Sequence, residues 1–381
     1  MNRILFLLPG EAPPNKDPHR NQFYYLSRYF SGHVIKPIWW DKTPQAIARI
    51  KDAQSAMGNF QYHPIFRVKL PKPIQIFYHL FSFIYKGARI YYSKEKYGLI
   101  FTYGVYTTGI AGYILKILTR AKLIVMVPTA LKKSYLYDLQ VIPKILKFKG
   151  AIANILAPFI LNRADCIYSI APSLLDGFRI NKNIPISIFL DFVATSSLQS
   201  SKESDKYILL LGLPWYLKGA DILINAFNLI SGKFPEYSLK IVGHCPDKKY
   251  FQKIAAGNDK IELCDAVPYD EAMRLMSRCA LYVLASRLEG MGRVLLEAMA
   301  LKKPIIASNV DGVSYYIKDG FNGLLFESEN VKDLAKKITT LLRDPDYALK
   351  LAENGHKYVH QYCSEDNFVE HFKKMIDEIA R

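Results

Sequence analysis

The sequence predicts an α/β protein built from two doubly wound, mostly parallel sheets. Three observations carry this. Short apolar, β-rich runs alternate with amphipathic helical runs, the alternation occurs twice, and a Ser-rich polar stretch, Thr195 to Lys206, separates the two series. Continuous hydrophobic strands between helices belong to parallel sheets covered on both faces. With 381 residues, half of them hydrophobic, the chain can bury two cores of ordinary size.

In the first series, "MNRILFLLPGE" holds only five apolar residues between Arg3 and Pro9, too few for a signal-peptide core, and reads as a buried first strand. The helical "NQFYYLSRYF" follows, then the strand "GLIFTYG", the helix "TGIAGYILKILTR" and the strands "KLIVMV" and "ADCIYSI". Leu99 to Leu115 is uncharged, but three glycines and three threonines interrupt it. A spanning helix needs about 20 mostly apolar residues, so a strand, a turn and a helix start fit better.

In the second series, the strands are "KYILLLG", "SLKIVG", "KIELCD", "ALYVLAS", "PIIAS" and "GLLF". Between them lie the helical "GADILINAFNLISGKF", "YDEAMRLMSRC" and "GRVLLEAMALK". The chain then turns helical in three runs, with Asn330 expected to cap the first and Ser364 the last. These boundaries give a first domain over 1–195, a linker over 196–206, a second domain over 207–363 and a final helix over 364–381.

Charge is distributed unevenly. Residues 1–200 hold 26 Lys and Arg against 9 Asp and Glu, whereas 201–381 hold 25 of each, so the whole net charge of +17 lies in the first half. Such a field attracts phospholipid surfaces, nucleic acid or phosphorylated acceptors. Two segments, 67–97 and 131–163, mix basic residues with aromatic and aliphatic ones as interfacial membrane helices do. No nucleic-acid module is legible, so an anionic membrane is the expected partner and nucleic acid is not. Five cysteines without close pairs favour a reducing compartment. The expected location is therefore cytoplasmic, peripheral on the inner face of the cell membrane.

The chemistry concentrates in "ASRLEGMGRVLLEAMALKKPIIASNVDG", Ala285 to Gly312. Glu289 sits in a Gly-rich turn and Glu297 eight residues on, among aliphatics where an unpaired carboxylate is costly. Either they face water or they face a polar ligand. Gly290 and Gly292 let backbone approach a ligand, the N–H groups at the following helix start favour a phosphate, and strand ends of open α/β sheets are where ligands bind. Glu297, about a turn and a half into that helix, can accept two hydroxyls such as a ribose offers.

This stretch resembles the donor-site motif of glycosyltransferase family 4, retaining sugar transferases of the GT-B fold. The likeness extends through "KYILLLG", "KGADILINAF", "VPYDEAMRLMSRCA" and "LLRDPDYALKLAENG", and is strong over roughly 206–365. It implies two Rossmann-like domains facing each other across a cleft, with the final helix, 364–381, packing back on the first. It implies that Glu297 holds the nucleotide ribose and that Glu289, with the backbone of Gly290, Met291 and Gly292, holds the transferred sugar and reaches the diphosphate. Lys218 falls on a diphosphate-binding lysine, or else is a solvated loop lysine. Gly212 closes the first strand of the second series on the donor side. His244, at the end of a neighbouring strand, is near the nucleotide or a spectator. Gly10 falls in the acceptor-facing loop, where His19 and Arg20 are acceptor-side groups or solvated loop residues.

The chain departs from that pattern in three places. Leu213 stands where an arginine is usual, and Arg293 either replaces that cation or lies on the surface. Pro128 and Thr129 stand where a histidine is frequent, and Gly10 is followed by Glu11 and Ala12, not by a second glycine. Asp344 and Asp346 form a nominal Asp-x-Asp, but Asp-Pro between helices is a stop-and-start signal, so no metal or cofactor is expected.

The expected function is a retaining transferase moving sugar from a nucleotide-sugar donor to a glycan or lipid-linked acceptor at the cytoplasmic membrane face. Its rivals are a nucleotide-sugar epimerase or phosphorylase of the same fold, and a catalytically silent sugar-nucleotide-binding membrane adaptor.

Overall fold

The computed structural model describes residues 3–10, 13–38, 43–66, 68–93, 95–129, 155–201, 203–245 and 247–380. Contacts divide the chain into two compact units. The first includes Met1–Lys132, Lys147–Phe192 and Glu365–Arg381, and the second includes Val193–Ser364.

The first unit is built on a parallel sheet. Its strands are β1 (Arg3–Leu7), β2 (Ser31–Ile38), β3 (Phe60–Phe66), β4 (Leu99–Tyr103), β5 (Lys122–Val127), β6 (Cys166–Ser169) and β7 (Ile186–Ile188), in the spatial order β3-β2-β1-β4-β5-β6-β7. Ile4, Leu5, Leu7, Leu99, Ile100 and Leu123 are wholly buried, as parallel strands covered on both faces require. The helices are α1 (Gln22–Leu26), α2 (Pro44–Ser55), α3 (Lys72–Tyr92), α4 (Thr107–Thr119) and α5, a helical run at 155–161. The uncharged stretch from Leu99 is thus strand β4 followed by helix α4. No described helix is long and apolar enough to cross a membrane. Most of the second basic segment, residues 131–154, lies outside the described residues.

The last helix of the chain, Glu365–Ala380, belongs to this unit. Phe372 sets its ring against Phe6, Phe30 and Phe101 at centroid distances of 6.1, 5.8 and 5.5 Å. Phe368 packs on Phe189 and Phe192.

The second unit is a parallel sheet in the order β10-β9-β8-β11-β12-β13. The strands are β8 (Tyr207–Leu211), β9 (Ser238–Val242), β10 (Ile261–Cys264), β11 (Leu281–Leu284), β12 (Ile305–Ser308) and β13 (Leu324–Phe326). Helices α6 (Ala220–Ile230), α7 (Lys248–Ala255), α8 (Tyr269–Arg278), α9 (Arg293–Ala300) and α10 (Val313–Tyr316) connect them, and α11 (Val331–Arg343) and α12 (Pro345–Tyr362) follow β13, with the helix at Glu365–Ala380 as α13. Asn330 caps α11 by accepting from Asp333 N–H, and Asp344 caps α12 by accepting from Tyr347 N–H. The chain runs from β8 outward to β10 and then returns to place β11 on the other side of β8. Strand order therefore reverses between β8 and β11, and the crevice at their carboxyl ends is where such sheets bind ligands.

Candidate functional site

Two turns leave the sheet of the second unit at that reversal point. The first, Gly212 to Gly219, links β8 to α6. Trp215 anchors it: the indole is fully buried and meets the Phe251 ring edge-on at 5.3 Å. Gly219, with φ +68°, closes the turn against β11, where an added Cβ would lie 1.9 Å from the Ala285 carbonyl oxygen. Only glycine fits there. The second turn, Ala285 to Gly292, links β11 to α9. Gly292 adopts φ +67° and forms the N-cap of α9.

The turns meet at a charged pair. Lys218 Nζ donates to Glu289 Oε2 at 2.5 Å, and Ser286 Oγ donates to the same oxygen at 3.2 Å. Glu289 is 8% exposed and Glu297 6%, so neither carboxylate is a solvated surface group. Glu297 lies on α9, and its Oε1 accepts from the Tyr269 hydroxyl at 3.1 Å. Gly290, Met291 and Gly292 are buried beside them. The Tyr316 hydroxyl donates to the Met291 carbonyl. Burial, and then the Glu289 charge, push the Tyr316 phenol well above its ordinary pKa, which keeps it a donor. Gly212 lies under the Lys218 stem: an added Cβ would be 3.1 Å from Lys218 Cγ.

The structure thus brings Lys218, Glu289, Gly212 and the Gly290–Gly292 backbone together, with Glu297 farther along α9. Arg293 is the first residue of α9, half-buried and engaged with neighbours. His244 is exposed, two residues past β9. Leu213 is 60% exposed beside Gly212. The acceptor-side candidates lie in the first unit. Gly10 is exposed after β1, and His19 and Arg20 form a single 3-10 turn capped by Asp17. His19 is exposed, its ring edge near Tyr24.

Two contributors escaped the sequence reading. Tyr269, first in α8, carries no motif that announces a partner for Glu297. Arg287 stands in the turn sequence with nothing to mark its partners, yet it locks both turns together. Its backbone N–H donates to the Leu217 carbonyl at 2.9 Å, and its Nη1 donates to the Tyr216 carbonyl. The guanidinium pairs with both Asp221 oxygens at 2.9 and 2.8 Å and with Glu329 at 2.7 Å, and stacks 3.9 Å from the Tyr216 ring centre. Burial pulls its pKa down, but the Asp221 hydrogen bonds and the two carboxylate charges outweigh that and raise it overall.

Residues 196–358 match the family model described as Glycosyl transferases group 1. That span contains every donor-side residue named above. The expectation of glycosyltransferase family 4 is corrected by this match, which places the resemblance with group 1 and not specifically with family 4. The chain is 34% identical over 165 residues to an uncharacterized glycosyltransferase of Methanocaldococcus jannaschii, covering 43% of this chain and 45% of that one. It is 32% identical over 111 residues to the N,N'-diacetylbacillosaminyl-diphospho-undecaprenol alpha-1,3-N-acetylgalactosaminyltransferase of Campylobacter jejuni, covering 29% of each. The chain spans less than half the length of these curated relatives.

Among solved structures, Anabaena HepE in complex with UDP and glucose superposes with a TM-score of 0.74 at 15% identity, over 99% of this chain and 100% of that one. The sucrose-phosphate synthase of Thermosynechococcus elongatus gives 0.75 at 17% identity over 98% of both. At such identities the likeness concerns the fold. Two Rossmann-like units with parallel sheets, matched over their whole length, make this a GT-B fold.

Proposed function

We propose that the chain is a glycosyltransferase whose second unit binds a nucleotide-activated sugar. The observation that carries this reading is the part-buried Lys218–Glu289 pair at the β8/β11 reversal point, beside the N-terminus of a helix that bears Glu297. A cation beside a helix N-terminus suits a diphosphate, and carboxylate acceptors suit sugar hydroxyls. Glu289 holds the ammonium of Lys218 in place before the ligand arrives. HepE, of the same fold, was solved with UDP and glucose, which supports a nucleotide sugar as the ligand class here.

In the mechanism we propose, Lys218 neutralises charge developing on the departing nucleoside diphosphate, with Arg293 as a second cation. A diphosphate oxygen takes the acceptor proton, the acceptor oxygen attacks on the face the leaving group vacates, and the anomeric configuration is retained. Glu297 holds the ribose, while Gly10, His19 and Arg20 stand on the acceptor side. The acceptor is a glycan or lipid-linked sugar, and the +17 charge of the first half draws the protein to an anionic membrane surface. A silent donor-binding protein is the second reading, favoured by exposed Leu213 where a phosphate-binding cation would be useful.

The test is to incubate the protein with nucleotide sugars and with a lipid-linked or glycan acceptor, and to read the product by NMR. Transfer with the donor's anomeric configuration is expected. An inverted product would overturn the mechanism, and donor binding without transfer or hydrolysis would favour the silent protein.

A further inference from the structure

Helix α3 carries a long apolar face that no described residue covers. Its inward side is set by Phe83, Gly87 and Ile90, all buried. Gly87 permits a close approach to α4, since an added Cβ would lie 2.5 Å from Leu115 Cδ1. At 3.6 residues per turn, the opposite side presents Ile74, Phe77, Phe81, Tyr85 and Tyr92. All five are exposed, Phe77 by 70% and Phe81 by 72%. The stripe runs for about 27 Å at 1.5 Å per residue. Singly exposed hydrophobics are ordinary; a continuous stripe of this length marks an interaction site. Helix α4 extends it, with Ile117 and Leu118 exposed where the Tyr92 hydroxyl donates to the Leu118 carbonyl at 3.1 Å.

Charge identifies the occupant. Residues 67–96 hold seven Lys and Arg and a single acidic residue, Glu95. Lys69, Arg89 and Lys96 are exposed along and beside the helix. A second copy of this chain would set those cations against one another. An acidic phospholipid surface offers acyl chains for the aromatic stripe and phosphates for its basic flanks. Exposed tyrosines suit the headgroup boundary, where one end of the ring is apolar and the other wet.

We propose that α3 lies in the plane of an acidic bilayer, with Phe77, Phe81 and Tyr85 inserted among the acyl chains and Lys69, Arg89 and Lys96 against lipid phosphates. This rests on the membrane association put forward above and adds the face and the mode of attachment. The helix lies on the membrane and does not cross it.

The test uses the full chain and vesicles of phosphatidylcholine with or without phosphatidylglycerol. Wild type should co-sediment with the acidic vesicles and be released by salt. The double variant Phe77→Ser/Phe81→Ser should bind them at least about tenfold more weakly, with unchanged thermal unfolding because both rings are exposed. In the single variant Phe81→Trp, brominated lipid should quench a larger share of the emission than in wild type, whose own indoles are Trp39, Trp40 and Trp215. Equal binding by the double variant, or quenching in the vesicle-bound single variant no greater than in wild type, would overturn insertion of α3 and leave charge-driven association standing. Failure of wild type to bind any vesicle would overturn both. Dimerisation that the double variant abolishes, without vesicle binding, would give the face to a second copy and equally overturn the proposal. Donor binding, measured on the same preparations, judges the glycosyl-transfer reading separately.

Discussion

Arg287→Met removes the cation from a nearly buried cluster that ties the Lys218 turn to the Glu289 turn. The Arg287 and Asp221 side chains are 10% and 12% exposed, and their two hydrogen bonds are parallel and short. Without Arg287, Asp221 is left as a buried charge in the first turn of α6. Breaking such a pair costs about 3–5 kcal/mol. The Glu329 contact adds little, roughly 0.5 kcal/mol, because that carboxylate is half exposed. The expected loss is therefore about 3–4 kcal/mol in the stability of the second unit. Removing both charges in Arg287→Met/Asp221→Leu should cost much less than the two single changes together, with a coupling of about 2 kcal/mol or more. Urea unfolding followed by the fluorescence of buried Trp215, which sits in the clamped turn, reads this when Trp39 and Trp40 are replaced by Phe. A loss below about 1 kcal/mol for Arg287→Met, or additive single effects, would refute the clamp.

Three further outcomes are expected. Lys218→Ala should lower kcat by about 10²–10³-fold, the usual effect of losing one preorganised charge-stabilising donor; a change confined to KM would remove Lys218 from the transition state. Glu297→Gln should weaken donor binding by about tenfold or more in calorimetric titration, because a charged acceptor bond is worth roughly 1.5–3 kcal/mol; unchanged affinity would refute its contact with the ribose. In the first unit, His33 Nδ1 lies 3.1 Å from His63 Nε2, and His33 Nε2 lies 3.2 Å from Glu95. Burial, and then the His33 charge, lower His63 to about 4. Since an unfolded histidine titrates near 6.5, the unfolded chain takes up the proton first; stability is complete above about pH 6.5 and falls by up to about 3 kcal/mol as pH drops towards 4. Urea midpoints against pH should show this slope, and His63→Gln should flatten it. An unaltered slope in the variant would show that other groups govern it.

The regular parts of the fold were legible because they obey simple periodicities. Every strand of the second unit was readable as a short apolar run, and Glu297 was placed inside a helix by its spacing from Gly292. Elements that escaped had physical reasons. Strand β3 contains Pro64, which cannot donate to a ladder, and it survives by lying at the sheet edge. Strand β7 has three residues, too few for a pattern. Helix α1 stops at Leu26 although helical periodicity runs on to Phe30. The site divided in the same way. Glu289, Glu297 and Lys218 sit beside glycines in a recognisable turn-and-helix context. Tyr269 and Arg287 act through contacts 28 and 66 residues away in sequence, to Glu297 and Asp221, which spacing alone cannot reveal.

The central claim is that the second unit holds a nucleotide sugar between the Lys218 turn and α9. Thermal unfolding with a panel of nucleotide sugars, repeated on Glu297→Gln, tests it most directly. At a ligand concentration of about 100 Kd, binding should add roughly 2.7 kcal/mol and raise Tm by about 5–10 °C. The account predicts that at least one sugar nucleotide produces this rise and that Glu297→Gln abolishes most of it. A panel that leaves Tm unmoved, or a rise of equal size in the variant, would contradict it.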